Sequence, residues 1–133
     1  MFDKKSIKKL YYQVIKFCVV GTFGIAFHYS IYIIALSYFN IHYLISGFIG
    51  YLSTTVPVFL LNRYWTFRSK VSINKGYGIF ILINIITISS HAIVQFFSKE
   101  FLGVPEIYSS ACGLFASAII GFILVRKLMD SKI

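Results

Sequence analysis

The chain has 133 residues, of which 58% are hydrophobic and 13% charged, with a mean hydropathy of +0.79. That is too apolar and too poor in charge for a soluble domain of this length, and the apolar stretches described below leave no room for a soluble catalytic domain. The net charge of +9 is gathered at the ends of those stretches, which argues against nucleic acid and for a membrane whose anionic lipids it would attract.

Lys4 to Tyr12 is a basic lead-in, with Lys4, Lys5, Lys8 and Lys9 at helical spacing around Ile7, Leu10 and Tyr11. It fits either a short helix lying on the inner leaflet or a frayed tail. The apolar run after it is longer than the core of a signal peptide, and no small-residue cleavage site follows. A first span is expected over about 14–39. On it Phe17, Gly21, Gly24, His28, Ile31 and Ala35 are spaced to share one face, and the two glycines would admit a neighbouring helix.

A second span is expected over 43–61, with Ser46, Gly50 and Thr54 forming a small-residue ridge and Pro57 bending the helix near its end. The run stops at Asn62-Arg63-Tyr64-Trp65-Thr66-Phe67-Arg68. Tyr64, Trp65 and Arg68 suit an interfacial anchor at headgroup depth. Asn62 and Arg63 serve either as part of that anchor or as a grip on the phosphate of a lipid-linked substrate, for which a guanidinium is well shaped.

Ser69 to Gly76 reads as a short polar loop. A third span, about 77–97, is more polar than a simple anchor requires: Asn84, Thr87 and His91 lie on one face, with Gln95 a turn beyond. Such groups bond a neighbouring helix or line a path for a polar cargo. A fourth span, about 108–125, repeats the small-residue ridge with Ser109, Gly113, Ser117 and Gly121, then closes on Arg126 and Lys127. The ridges of spans two and four suggest self-association, most simply a homodimer. Cys18 and Cys112 fall at different depths and are expected as free thiols, with no metal site and no cofactor.

Of the 13 Lys and Arg, all but Lys99 lie before the first span and at its inner end, after the second, or at the chain's end. The positive-inside rule then puts both termini and the central loop in the cytoplasm. A shift of 63 aligns Phe17 with Phe80, His28 with His91, Ser46 with Ser109, Gly50 with Gly113, Phe59 with Phe122, Leu61 with Leu124, and Arg63 with Arg126 (80 − 17, and likewise for the rest). The expected fold is all-α and integral to the membrane. It is a single domain of four helices in two parallel two-helix repeats, about 14–68 and 77–131, with both termini inside.

Lys16-Phe17-Cys18-Val19-Val20-Gly21, Ile41-His42-Tyr43 and Phe59-Leu60-Leu61-Asn62-Arg63-Tyr64-Trp65-Thr66-Phe67-Arg68 resemble the GtrA-like family along nearly the whole chain. The resemblance implies a four-span bacterial cytoplasmic-membrane protein that works beside a membrane-bound polyprenyl-phosphate glycosyltransferase. It implies translocation of an undecaprenyl-phosphate-linked sugar for cell-surface polysaccharide or teichoic acid. Where the resemblance expects a second Asn-Arg pair and an aromatic tail, this chain has Val125-Arg126-Lys127.

Within that frame Asn62, Arg63, Arg126, Lys127 and Lys16 are the candidate phosphate-binding residues, and His28, Asn84, Thr87, His91 and Gln95 the candidate sugar-facing seam. The alternative is a non-transporting anchor for the transferase. A cation-coupled multidrug exporter is disfavoured because Asp3, Glu100, Glu106 and Asp130 all fall outside the expected spans. Catalysis is not expected, since no carboxylate pair, Cys-His dyad or metal cluster lies at a plausible depth.

Overall fold

The structure, a computed structural model, describes residues 3–133, apart from the side chains of Tyr43, Leu44, Glu106 and Ile107. Described residues form α1 (Lys4–Ser37), α2 (Tyr43–Leu61), a short π-helix (Asn62–Thr66), α3 (Ile73–Glu100) and α4 (Glu106–Met129). All 4 apolar helices are long enough to cross a bilayer, so the fold is the expected all-α membrane one. In hydrocarbon a backbone must satisfy its own polar groups, which is what a helix does. The side chains follow suit: the hydroxyls of Thr22, Ser30, Ser89 and Ser90 each donate to the carbonyl four residues back. Hydroxyls satisfied in this way are tolerated on an apolar surface, such as the one that the exposed Ile33, Phe48, Leu82 and Phe115 present.

The helix bounds depart from expectation at the basic ends. The lead-in is neither a separate surface helix nor a frayed tail, because Lys4 to Ser37 form one helix of 34 residues. Lysine is a good helix former, and neither Gly nor Pro interrupts the chain before Gly21. Likewise α3 begins at Ile73, inside the expected polar loop, and Arg126 and Lys127 lie within α4.

The chain divides between Lys70 and Val71 into two compact units, each a helical hairpin. In the first, α1 packs antiparallel on α2: Gly24 faces Thr54 and Val58, and Gly50 faces His28. In the second, α3 packs on α4 with Gly113 against His91.

The same local solutions recur 63 residues apart. After α1, Ile41 N–H donates to Ala35 C=O at 3.1 Å around a left-handed Asn40 (φ 52°). After α3, Val104 N–H donates to Ser98 C=O at 3.1 Å around a left-handed Gly103 (φ 63°). Asn and Gly are the residues that enter this conformation most cheaply. Ser46 and Ser109, each fully buried, open the second helix of their hairpins. Buried positions match as well: Gln13 with Gly76, Val20 with Ile83, Ala35 with Ser98, Asn62 with Val125, and Thr66 with Met129.

One packing expectation changes. Gly21 is exposed with nothing near its missing Cβ, and the contact face of α1 runs through Val20 and Gly24 instead. The ridges of spans two and four are taken up inside their own hairpins, where Ser46, Gly50, Ser109 and Gly113 are all buried. Thr54 and Ser117, on the same ridges, stay partly exposed.

Candidate functional site

At the basic end of the first hairpin the chain leaves the α-helical path. Phe67 N–H reaches back to Asn62 C=O (2.9 Å), a five-residue step, and Ser69 N–H to Arg63 C=O (2.7 Å), a six-residue step. This wide turn is a form found mainly as single turns, often at functional sites. It ends on Arg68, held left-handed at φ 48°, which is strained for a residue with a Cβ. This departure comes after Leu61, one turn beyond Pro57, which lies inside α2.

The turn arranges the cations. Lys16 Nζ donates to Trp65 C=O at 3.4 Å and stands 5.2 Å from the Trp65 ring centre. The Arg63 guanidinium lies 4.6 Å from the Tyr64 ring centre. Each cation–ring contact is worth about 0.5–1 kcal/mol at such sites. Trp65 is near the end of its helix, where carbonyls lack intrahelical partners, so a lysine there also complements the helix dipole. Lys16 is thus brought to the Asn62–Arg68 segment, as Phe17 is by its ring contact with Phe67 at 6.4 Å. Arg68 is exposed.

Asn62 lies elsewhere than its neighbour Arg63. Its side chain is 1% exposed, and Oδ1 has no hydrogen-bond partner. Thr66, one turn on and 4% exposed, leaves Oγ1 unpartnered, and Gln13, 5% exposed, leaves Oε1 unpartnered. Each such orphan costs about 1–3 kcal/mol. Sequence reading assigned Gln13 and Thr66 no role. The signal was there at the 63-residue shift, where Asn62 and Thr66 meet the apolar Val125 and Met129.

In the second hairpin, Phe122, Ile123, Arg126, Lys127, Asp130 and Ser131 line an open pocket of about 350 Å³. Arg126 Nε is 3.9 Å from Asp130 Oδ2, an ion pair without a hydrogen bond. The first hairpin has Phe67 where the second has Asp130 (130 − 67 = 63), so the two basic ends differ electrostatically.

Further along the hairpins the two histidines also differ. His28 stacks on Tyr32 (6.3 Å, 12°) and meets Tyr29 edge-on (5.6 Å). His91 has Ala92 and Gln95 at the matching places (92 − 29 and 95 − 32 are both 63), and its Nε2 is buried without a partner. Thr87, Ile88, His91, Leu114 and Ser117 line an open groove of about 240 Å³ at that point. Within the seam, Asn84 Nδ2 donates to Phe80 C=O (2.8 Å) and Thr87 Oγ1 to Asn84 C=O (2.9 Å), so both are bonded to their own helix. Gln95 is half-buried. Among the described residues no group of three or more His, Cys, Asp or Glu could hold a metal. Cys18 and Cys112 are free and exposed.

Four spanning helices, packed as hairpins with basic ends and polar grooves, define a small multi-pass membrane protein. The family GtrA/DPMS, transmembrane domain, matches residues 16–129, and the chain belongs to it. Membership places it among membrane proteins of polyprenyl-phosphate sugar metabolism or translocation. Comparisons with curated proteins and with solved structures each returned no match.

Proposed function

We propose that the protein carries an undecaprenyl-phosphate-linked sugar across the bacterial cytoplasmic membrane for cell-surface glycosylation. It works without catalysing a reaction, beside the membrane-bound transferase that makes its cargo. The observation that carries this reading is the groove at His91. That residue is 9 positions before the end of α3 (100 − 91), so it lies about 14 Å along the helix from that end. An unpartnered imidazole nitrogen at such depth is unfavourable in hydrocarbon. A sugar hydroxyl in the groove would bond to it once the ring swings away from Gly113, with Thr87 and Ser117 alongside. The polyprenyl tail stays in lipid, so the protein has only the headgroup to shield. Lys16 and Arg63 on the first hairpin, and Arg126 and Lys127 on the second, each offer cations to a phosphate at the cytoplasmic end of their own hairpin.

A second reading, an anchor that orients the transferase without moving lipid, is favoured by one feature. Asn84 and Thr87 are satisfied on their own helix, as polar residues in a purely structural seam would be.

The test is complementation of cells lacking the protein. Transport predicts that His91→Leu and Ser117→Leu each abolish external sugar modification while the transferase still makes lipid-linked sugar inside and the variants still insert. Normal modification with both variants would refute a role for the groove.

A further inference from the structure

At the positions 63 residues on, where α4 stays α-helical, the second hairpin buries the apolar Val125 and Met129 in place of Asn62 and Thr66. The polar pair is therefore not shared by the second hairpin. Nor is its burial compensated, because Asn62 Oδ1, Thr66 Oγ1 and Gln13 Oε1 are each sealed from solvent without a partner. Local contacts bring the three to one end of the hairpin. Gln13 is one turn before Phe17, whose ring meets Phe67, the residue after Thr66. Asn62 and Thr66 are the first and last residues of the wide turn.

The amide oxygens of Gln13 and Asn62 lack a donor, and the Thr66 hydroxyl lacks a partner of either kind. An ammonium group would supply a donor and a metal ion would take the lone pairs, but Lys16, Arg63 and Arg68 stand at the same end and would repel either cation. Hydroxyl groups carry no such penalty. The same cations attract a phosphate, so a ligand with an anionic group joined to a hydroxyl-rich group matches both features at once.

We propose that Gln13, Asn62 and Thr66 form a hydroxyl-reading niche, specific to the first hairpin, for the sugar of a ligand whose phosphate rests on Lys16, Arg63 and Arg68. The proposal rests on the lipid-linked sugar being the ligand, and it moves Asn62 from the phosphate to the sugar. The niche is closed in the free protein, so the wide turn must yield to admit the ligand. Its stretched hydrogen-bond pattern and the strained Arg68 make that segment the easiest part of the wall to open.

The test is equilibrium binding to the full chain in nanodiscs, using polyprenyl phosphate and the same polyprenyl phosphate bearing a hexose. Binding requires no translocation, so the result stands whether or not the protein moves lipid. The wild type should prefer the glycosylated ligand by about tenfold or more, the worth of one or two net hydrogen bonds. Asn62→Val and Thr66→Met copy the second hairpin's residues. Each should cut that preference to about threefold or less, leave the affinity for bare polyprenyl phosphate within about twofold, and unfold no more easily than the wild type. An unchanged preference in both variants would overturn the proposal, as would parallel loss of both affinities, which would return Asn62 to the phosphate. No preference in the wild type, or failure of both variants to fold, would overturn it as well.

Discussion

Replacing Gly113 with alanine puts a methyl group against the backbone of the neighbouring helix. The new Cβ would lie 2.7 Å from His91 C=O and 2.7 Å from its ring Cδ2. Ordinary contact begins at 3.4 Å, so α3 and α4 must separate by about 0.7 Å (3.4 − 2.7). At Gly50 the obstacles are His28 C=O and Nδ1, both at 3.1 Å, and the required shift is about 0.3 Å (3.4 − 3.1). At Gly21 nothing lies within 4 Å.

Overpacking of this kind costs about 1–3 kcal/mol. Replacing a helical glycine with alanine returns up to about 1 kcal/mol in helix propensity. The net expectation is a loss of about 1–2 kcal/mol for Gly113→Ala, little change for Gly50→Ala and a gain of up to about 1 kcal/mol for Gly21→Ala. Reversible unfolding by SDS in mixed micelles measures all three against the wild type. Equal stabilities for Gly113→Ala and Gly21→Ala would refute the close packing of His91 on Gly113, and with it the position of the groove.

Two more outcomes follow from the basic ends. Arg63→Ala should abolish sugar modification in cells, and Arg63→Lys should restore it only partly, because an ammonium cannot grip phosphate through two parallel bonds; full rescue by lysine would mean that Arg63 acts only as a charge. With the exposed Cys18 and Cys112 changed to serine, an impermeant thiol reagent should label Asn40→Cys on intact cells and Lys70→Cys only after permeabilisation. The reverse pattern would invert the proposed orientation.

Hydropathy alone showed the four spans, and α2 kept its expected bounds because an apolar run stops there on Asn62. At the other basic ends the helix runs on beyond the apolar span. Lysines and arginines look like loop to a hydropathy scale, but the chain keeps its helix through Lys4 to Lys16 and through Arg126 and Lys127. Spacing identified Gly50 and Gly113 as contact residues but not the partner, because periodicity names a face and says nothing of what covers it. The same limit explains Gly21, which lies three residues from the buried Gly24, just beyond the covered face.

The wide turn at Asn62–Thr66 was invisible, since five-residue pairing has no residue signature in this chain. Gln13 was hidden for a simpler reason: a single polar residue beside four lysines looks solvated, and only the three-dimensional contacts bury it. The grooves were half legible. His28 and His91 stood out as a matched pair, but their different surroundings, two tyrosine rings against an open groove, required the structure.

Purified protein in vesicles shows directly whether this chain moves lipid by itself. With fluorescently tagged polyprenyl-phosphate hexose in both leaflets and no transferase, a membrane-impermeant quencher reads the fraction that reaches the outer leaflet. Transport predicts that quenching goes beyond the half initially outside, at a rate that rises with protein per vesicle and falls in His91→Leu. Quenching that halts at the outer half, as in protein-free vesicles, would contradict transport and leave the protein as an anchor for its transferase.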